Sequence, residues 1–162
     1  MAYVMSNMFA IKTVFEATWL TQRGHNQCMR DLHRESGHRH RMEVFPRHFD
    51  GGSKTQPGGE YGYEKRSKKW DEYKMAKRGE ARPLFFSGRM QRTVIAESIV
   101  RATKDRWTLQ GKNYFPMTEQ RRKELQTVPP SEQTELARWQ KARYLVLSRS
   151  PLYKHRQRFR TS

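Results

Sequence analysis

The first apolar stretch of the chain, residues 8–20, fits two periodicities. Apolar residues alternate with polar ones at Phe9, Ile11, Phe15, Ala17 and Trp19. Such alternation, in a segment rich in aromatic and β-branched residues, is typical of a strand with one buried face. A helical stripe fits the same segment at Met8, Ile11, Phe15 and Trp19. We expect the strand, followed by a turn over residues 21–26 around Gly24.

Helical spacing dominates four later segments, which cover residues 26–43, 63–78, 118–126 and 132–148. Gly37 weakens or ends the first of these patterns, and Gly79 is a natural stop for the second. The pair Pro129–Pro130 separates the third from the fourth, and Pro151 ends the fourth. The apolar face of the last helix consists of Leu136, Trp139 and either Leu145 or Leu147.

Strands are expected between these helices. Residues 83–88 form an apolar run that ends in a Ser-Gly turn. Two or three short strands are predicted over residues 89–112 by the β-formers and turn residues Thr93, Ile95, Val100, Lys104–Asp105, Trp107 and Gly111. Residues 44–49 should be extended, because Pro46 disfavours helix in the residue before it.

Strands that are segregated from helices predict an α+β fold, with a small antiparallel sheet packed by helices, long loops and extended termini. We expect a single domain over residues 1–148, with a Gly-rich loop at residues 50–62. A basic C-terminal tail follows over residues 149–162.

The composition limits the size of the core. Only 35% of the 162 residues are hydrophobic, yet 12% are aromatic, and the formal net charge is +17. The chain has too few apolar residues for a large core and too many aromatic residues for a disordered protein. We therefore expect a small core that is completed by contacts with partner proteins. The sequence has no apolar run of about 18 residues, so no membrane-spanning helix is expected.

The basic excess is sharpest in the C-terminal tail, where no acidic residue follows Arg149. The cations of this tail are Arg149, Lys154, Arg156, Arg158 and Arg160. Clustered cations bind anions, which here would be nucleic-acid phosphates or acidic faces of neighbouring proteins. We interpret the segment as a docking tail, with a solvated tail as the alternative.

The helix predicted over residues 63–78 interleaves aromatic and basic side chains. Tyr63, Trp70 and Tyr73 recur at helical spacing and would share one face. That face either packs on a sheet or a neighbouring subunit, or stacks on bases while the lysines bind phosphates. The regular spacing favours packing, so Trp70 and Tyr73 are predicted to be core or intersubunit contacts.

Candidate catalytic and metal sites are weak. Cys28, His33, His38 and His40, with His48, suggest zinc, but residues 28, 33, 38 and 40 of one helix do not share a face. Histidines on the polar surface of a helix or at an interface fit this spacing better than zinc ligands do. The carboxylates stand among cations, which favours surface salt bridges over acid–base chemistry. Nucleotide-binding, metalloprotease and nucleophile-elbow motifs are absent from the sequence, so an enzyme is not expected.

One long stretch carries a family resemblance. Residues 45–49 read FPRHF, and residues 61–94 read YGYEKRSKKWDEYKMAKRGEARPLFFSGRMQRTV. This stretch reads as an Arg/Lys-rich helix with regularly spaced aromatics, followed by Gly79 and then by the residues from Pro83 to Arg89. In this order it resembles the tail-completion, or head–tail joining (neck), proteins of tailed phages. The resemblance covers about residues 26–100, with a looser similarity over residues 117–140.

The resemblance implies a non-enzymatic virion protein without a cofactor, which forms a ring of identical subunits at the portal–tail junction. Its neighbours would be portal or adaptor proteins and tail-tube or tail-terminator proteins, with packaged DNA near by and no membrane. Under this hypothesis, a turn at Ser87–Gly88 aims Arg89 into a strand. The expected packing or intersubunit residues are Trp70, Tyr73, Leu84, Phe85, Phe86, Ser87, Gly88 and Arg89.

Two other functional classes stay open at this point. A nucleic-acid-binding structural protein, such as a ribosomal protein, fits the charge of +17 equally well. Its binding would weaken steeply with rising salt. A small metal-dependent nuclease is the third class, which requires cleavage in magnesium or manganese.

Overall fold

A computed structural model of the chain describes residues 5–50, 52–55, 57–79, 89–112, 124 and 126–154. Its α-helices are α1 (Gln22–Arg39), α2 (Lys68–Arg78), α3 (Arg89–Glu97), α4 (Pro130–Arg149) and α5 (Pro151–Lys154). Its strands are β1 (Met5–Lys12), β2 (Ile99–Ala102) and β3 (Arg106–Lys112). A π-helix over His40–Val44 and a 3₁₀ helix over Phe45–Phe49 continue α1, and a short 3₁₀ turn covers Ser53–Thr55.

The three strands form an antiparallel sheet in the order β1-β3-β2. In the central strand, Trp107 stands opposite Ile11 of β1 and Ala102 of β2. A small antiparallel sheet packed by helices confirms the predicted α+β class. The predicted turn at Gly111 is wrong, because Gly111 lies in β3 and pairs with Ser6.

Two apolar clusters hold the helices to the sheet and to each other. The first joins the 3₁₀ helix, β3 and α4 through Phe45, Phe49, Trp107, Leu109 and Leu136. The second joins α1, α4 and α5 through Cys28, Met29, Leu32, Tyr144, Leu147 and Tyr153. Trp139 packs against both clusters. These small cores agree with the low apolar content of the chain.

The strand predicted over residues 8–20 is confirmed as far as Lys12 and is wrong beyond it. From Ile11 to Thr18, half-buried and exposed side chains still alternate. Helix α4 is their partner, because the ring of Phe15 stacks on Tyr144 with 4.7 Å between centroids, and Thr13 Oγ1 donates to Gln140. An extended segment laid across a helix therefore produces the same alternation as a paired strand.

Helix α1 begins earlier than predicted and passes through Gly37. Thr21 caps its first turn, because the Thr21 hydroxyl accepts a hydrogen bond from the Gly24 amide at 3.1 Å. The predicted turn at residues 21–26 is therefore wrong. Gly37 is needed for close packing, since a Cβ at this position would lie 2.4 Å from Cγ1 of Val100 in β2. Gly37 therefore does not end the helix, and it is the point at which the sheet comes closest to α1.

Three further local predictions are wrong. Residues 45–49 form a 3₁₀ helix, in which Pro46 occupies the first turn, where proline is tolerated. Residues 89–97 form α3 instead of a strand, because tertiary packing overrides the β preference of residues such as Ile95. Arg89 thus begins a helix. Helix α2 begins at Lys68, with Ser67 as its cap, instead of at residue 63.

Other predictions about the helices are confirmed. Gly79 ends α2 in the left-handed conformation at φ 72°, where glycine carries no steric penalty. Helix α4 covers the predicted segment 132–148, and of the two alternatives for its apolar face Leu147 is buried whereas Leu145 is 40% exposed. The predicted apolar run at 83–88 lies outside the described residues, as does nearly all of the helix predicted over 118–126.

Candidate functional site

Helix α2 presents the aromatic pair that the sequence singled out. Trp70 and Tyr73 lie almost one turn apart, and their rings stack at 5.5 Å between centroids with 24° between planes. Trp70 is 38% exposed and Tyr73 is 46% exposed. Tyr63 does not belong to this pair, because it precedes the helix and is buried. The three-residue aromatic stripe expected from the sequence is therefore wrong, and an accessible two-ring surface stands in its place.

A buried carboxylate anchors the segment that leads into α2. Glu124 is 1% exposed, and its Oε1 accepts a hydrogen bond from the Glu64 amide at 3.1 Å. Its Oε2 accepts a charge-assisted bond from the Arg66 guanidinium. The Tyr63 hydroxyl donates to the His48 carbonyl at 2.6 Å. These contacts fix the chain just before α2. Sequence reasoning missed them, because partners 58 and 60 residues apart leave no local pattern.

A second polar cluster lies at the amino-terminal end of α4. The Tyr61 hydroxyl donates to Oε1 of the buried Glu132. Arg47 binds Glu135 through two guanidinium nitrogens at 2.9 and 3.4 Å, and its Nη1 is 3.9 Å from Glu132. Burial raises the pKa of the Glu132 carboxyl, and Arg47 opposes the shift. The cluster joins the Gly-rich loop, the 3₁₀ helix and α4.

The histidines considered for zinc are mostly structural. His40 and His48 are buried, and burial lowers the pKa of His40 to about 3 and that of His48 to about 4. The Nδ1 atom of His33 lies 2.9 Å from the Thr103 carbonyl, at the β2–β3 turn. Burial raises the pKa of the Cys28 thiol to about 11. Within the described part of the chain, no three His, Cys, Asp or Glu side chains are placed to hold a metal ion.

Four exposed apolar side chains belong to the last turns of α4, to α5 and to the segment that Trp19 ties to α4. This α4-end cluster consists of Trp19, Leu145, Val146 and Leu152, which are 51%, 40%, 60% and 80% exposed. The Trp19 indole donates to the Ser148 carbonyl at 3.2 Å, which holds the ring beside the last turn of α4. No sequence signal predicted this cluster, since its residues belong to three separate elements.

Two cations of the predicted docking tail flank the α4-end cluster. Arg149 is the last residue of α4, Lys154 is the last residue of α5, and both are exposed. Pro151 ends α4 as predicted and also begins the short helix α5 within the predicted basic tail. The other tail cations, Arg156, Arg158 and Arg160, lie outside the described residues.

The remaining predicted contact residues are not part of the Trp70–Tyr73 pair or of the α4-end cluster as described. Leu84, Phe85, Phe86, Ser87 and Gly88 lie outside the described residues, and Arg89 is the first residue of α3. The prediction that a turn aims Arg89 into a strand is wrong, because the chain continues as a helix.

Comparison with known proteins gives no match for the chain. No family model, no curated protein and no solved structure matches it. In the described part of the chain, no helix is long and apolar enough to cross a membrane.

Proposed function

We propose that this chain is a non-enzymatic virion protein of the neck or tail-completion type. Identical copies form a ring at the portal–tail junction of a tailed phage, assembled in the host cytoplasm. One observation carries the proposal: the α4-end cluster is exposed, apolar and flanked by the exposed cations Arg149 and Lys154. The sequence resemblance supplies the class of assembly.

The α4-end cluster has the composition of a protein contact. Apolar side chains that gather on the surface of a polar chain mark interaction sites, since leaving them in water costs free energy. Specific interfaces combine an apolar centre with a polar, charged rim. Leu145 and Val146 supply such a centre, and Arg149 and Lys154 supply such a rim. The structural role expected for the tail cations and the position of the apolar cluster thus support each other.

A ring built from identical subunits needs two different surfaces on each copy. A head-to-tail contact pairs one patch with another, and the contact closes into a ring when its rotation closes. The segment before α2 is held near the amino-terminal end of α4, through Tyr61 and Glu132. The α4-end cluster lies at the other end of this 20-residue helix, and Leu145 is about 20 Å from Glu132 along the helix axis. The Trp70–Tyr73 pair and the α4-end cluster are therefore our two candidates for the intersubunit contact.

Portal or adaptor proteins above the ring and tail-tube or tail-terminator proteins below it complete this proposal. The undescribed tail cations Arg156, Arg158 and Arg160 would dock on an acidic neighbour. The packaged DNA would pass close to the subunits, and no membrane would be involved.

The oligomeric state of the purified chain tests the ring. Light scattering after size-exclusion chromatography gives the mass, and electron microscopy shows the shape. We expect ring-shaped oligomers without nucleic acid, and we expect Leu145→Gln with Leu152→Gln to reduce them to monomers. Met42→Gln is the matched control, because Met42 is 58% exposed and lies in the π-helix that continues α1.

Two results would contradict the proposal. The first is a wild-type protein that stays monomeric at high concentration, and the second is a double variant that assembles as well as the control. A monomer that binds nucleic acid tightly would instead favour the alternative function, a nucleic-acid-binding structural protein.

A further inference from the structure

The outward face of α1 is a continuous polar ridge. From Arg23 to the end of the helix, the exposed positions recur every three or four residues, which is the spacing of one helix face. The residues of this α1 ridge are Arg23, Gln27, Arg30, Arg34 and His38. At a rise of 1.5 Å per residue the ridge is ~22 Å long. It contains no apolar and no acidic residue.

The acidic residues near the ridge already have partners within the chain. The Asp31 carboxylate accepts from the Tyr153 hydroxyl at 3.0 Å and pairs with Arg34 at 3.3 Å. Glu35 binds Arg143 from α4, at 2.5 and 2.9 Å. Charge on Asp31 and Glu35 is therefore compensated, and the ridge keeps an excess of cations.

Two of the arginines on the ridge are free of carboxylate partners within the described part of the chain and can bind an external anion. Arg23 and Arg30 form no ion pair with any acidic residue of the described chain, and the Arg34 side chain is 55% exposed. The neighbouring cations also act on each other, since the pKa of His38 is lowered first by burial and then by the charges of Arg41 and Arg34. Cations that crowd in this way favour the binding of a polyanion.

The absence of apolar side chains on the ridge narrows the class of partner. Protein interfaces usually depend on buried aromatic or aliphatic anchors, and membrane-surface helices need an apolar face. The α1 ridge has neither. Duplex DNA, by contrast, is bound through phosphate contacts from arginine and lysine. Its major groove is about 12 Å wide and admits a helix, whereas the major groove of duplex RNA is too narrow and deep.

We infer that the α1 ridge binds the phosphate backbone of duplex DNA without regard to base sequence, through Arg23, Arg30 and Arg34. The choice of duplex DNA rests on the proposed function, in which duplex DNA passes the portal–tail junction. This assigns to α1 a contact with DNA that the resemblance implied only in general terms. The ridge does not include the Trp70–Tyr73 pair, and its amino-terminal end lies beside the α4-end cluster, since Arg23 and Gln27 line one cavity with Leu152.

Salt-dependent binding tests the ridge. A fluorescently labelled 20-base-pair DNA of arbitrary sequence is titrated with the full chain at several sodium chloride concentrations. The test variant carries Arg23→Gln, Arg30→Gln and Arg34→Gln, which remove three exposed charges and keep helix-forming side chains. The control variant carries Lys68→Gln, Lys69→Gln and Lys77→Gln, which remove the same charge from exposed positions of α2. Circular dichroism confirms that both variants are folded.

We expect the ridge variant to lose roughly tenfold or more in DNA affinity near 0.1 M salt. Each lost phosphate contact also lowers the slope of log affinity against log salt by about 0.9, so the slope should fall by about 2 to 3. The control variant should keep most of the affinity and slope. Duplex RNA of the same sequence should bind more weakly than DNA.

Several results would overturn the inference. These are a wild-type chain that does not bind duplex DNA, an equal loss in the two variants, and a duplex RNA that binds as well as DNA. Competition by polyglutamate as effective as competition by DNA would assign the ridge to an acidic protein. Light scattering on the same samples separates the two proposals: a ring that does not bind DNA contradicts the ridge alone, and a monomer that binds DNA through α1 contradicts the ring alone.

Discussion

The Tyr61 hydroxyl donates a hydrogen bond to the Glu132 carboxylate, and this bond joins the Gly-rich loop to the first turn of α4. Tyr61 is fully buried and Glu132 is 2% exposed. The second oxygen of Glu132, Oε2, has no hydrogen-bond partner among the described residues. Much of the stabilisation of this buried carboxylate therefore depends on one phenol.

Replacement of this phenol should lower the free energy of unfolding. Tyr61→Phe removes the donor, and the nearest cation, Arg47, is 3.9 Å from the carboxylate. A buried acceptor that loses its partner costs about 1–3 kcal/mol of unfolding free energy. Urea denaturation at pH 7 measures this loss. Met42→Gln is the control and should change stability by less than about 0.5 kcal/mol, because Met42 is 58% exposed. An equal loss in both variants would show that the buried bond contributes nothing.

Two buried histidines should make the fold sensitive to acid. The folded-state pKa values of about 4 for His48 and about 3 for His40 lie below the usual 6.5, because burial disfavours the charged ring. Their contribution to stability is fully present above about pH 6.5 and is lost as the pH falls towards these values, since the unfolded chain takes up the protons first. Glu132 acts in the opposite direction, because its pKa is raised.

A variant isolates the histidine contribution from that of Glu132. Between about pH 6 and pH 4.5, the unfolding free energy of the wild type should fall by about 1.2 kcal/mol per pH unit more than that of His48→Gln. Urea denaturation at four pH values measures both slopes. The variant is expected to be less stable at pH 7.5, which does not affect the comparison of slopes. Parallel curves for the two proteins would contradict this prediction.

Gly37 should not tolerate even a methyl group. A Cβ at this position would lie 2.4 Å from Val100 and 3.2 Å from the Trp107 ring. Gly37→Ala should therefore lower the unfolding free energy by about 1–3 kcal/mol, although alanine favours a helix by about 1 kcal/mol over glycine. Thermal unfolding measures the change. Gly52→Ala is the control, since nothing lies within 4 Å of its Cβ. The added change Val100→Ala should restore part of the loss, and a lack of coupling would exclude the clash.

The sequence predicted the class of fold better than its local details. Where one residue determines local geometry, the prediction held, as with Gly79 at the end of α2. The β preference of Ile95 predicted a strand wrongly, because this preference is weaker than the packing of α3. Residues 13–18 alternate as a strand does, although their partner is a helix. The charge of α1 is modest when summed along the sequence, and only the exposure of its residues collects Arg23, Arg30 and Arg34 on one face.

The polar contacts of the candidate surfaces could not be predicted at all. No sequence pattern points to the bond between Glu132 and Tyr61, because the two residues are 71 positions apart. Contacts of this kind depend on the final packing and leave no periodicity in the sequence. Whether this chain or a neighbouring subunit covers Trp70 could not be predicted either, since spacing predicts which residues share a face but not whether another element covers it.

The Arg66–Glu124 pair should control how firmly α2 is held. Arg66→Met leaves the carboxylate of Glu124, which is 1% exposed, without its cation. We expect a loss of about 3 kcal/mol of unfolding free energy, because a buried charge without its partner is strongly destabilising. Glu124→Gln added to Arg66→Met should recover part of that loss. Lys65→Met, an exposed neighbour, should change stability by less than about 0.5 kcal/mol.

Amide exchange gives a second measurement of the Arg66–Glu124 pair. In Arg66→Met the amides of α2 should exchange faster than those of α1, because the anchor precedes α2 directly. Uniform acceleration in both helices would mean that the pair stabilises the whole domain and has no particular role in presenting Trp70 and Tyr73.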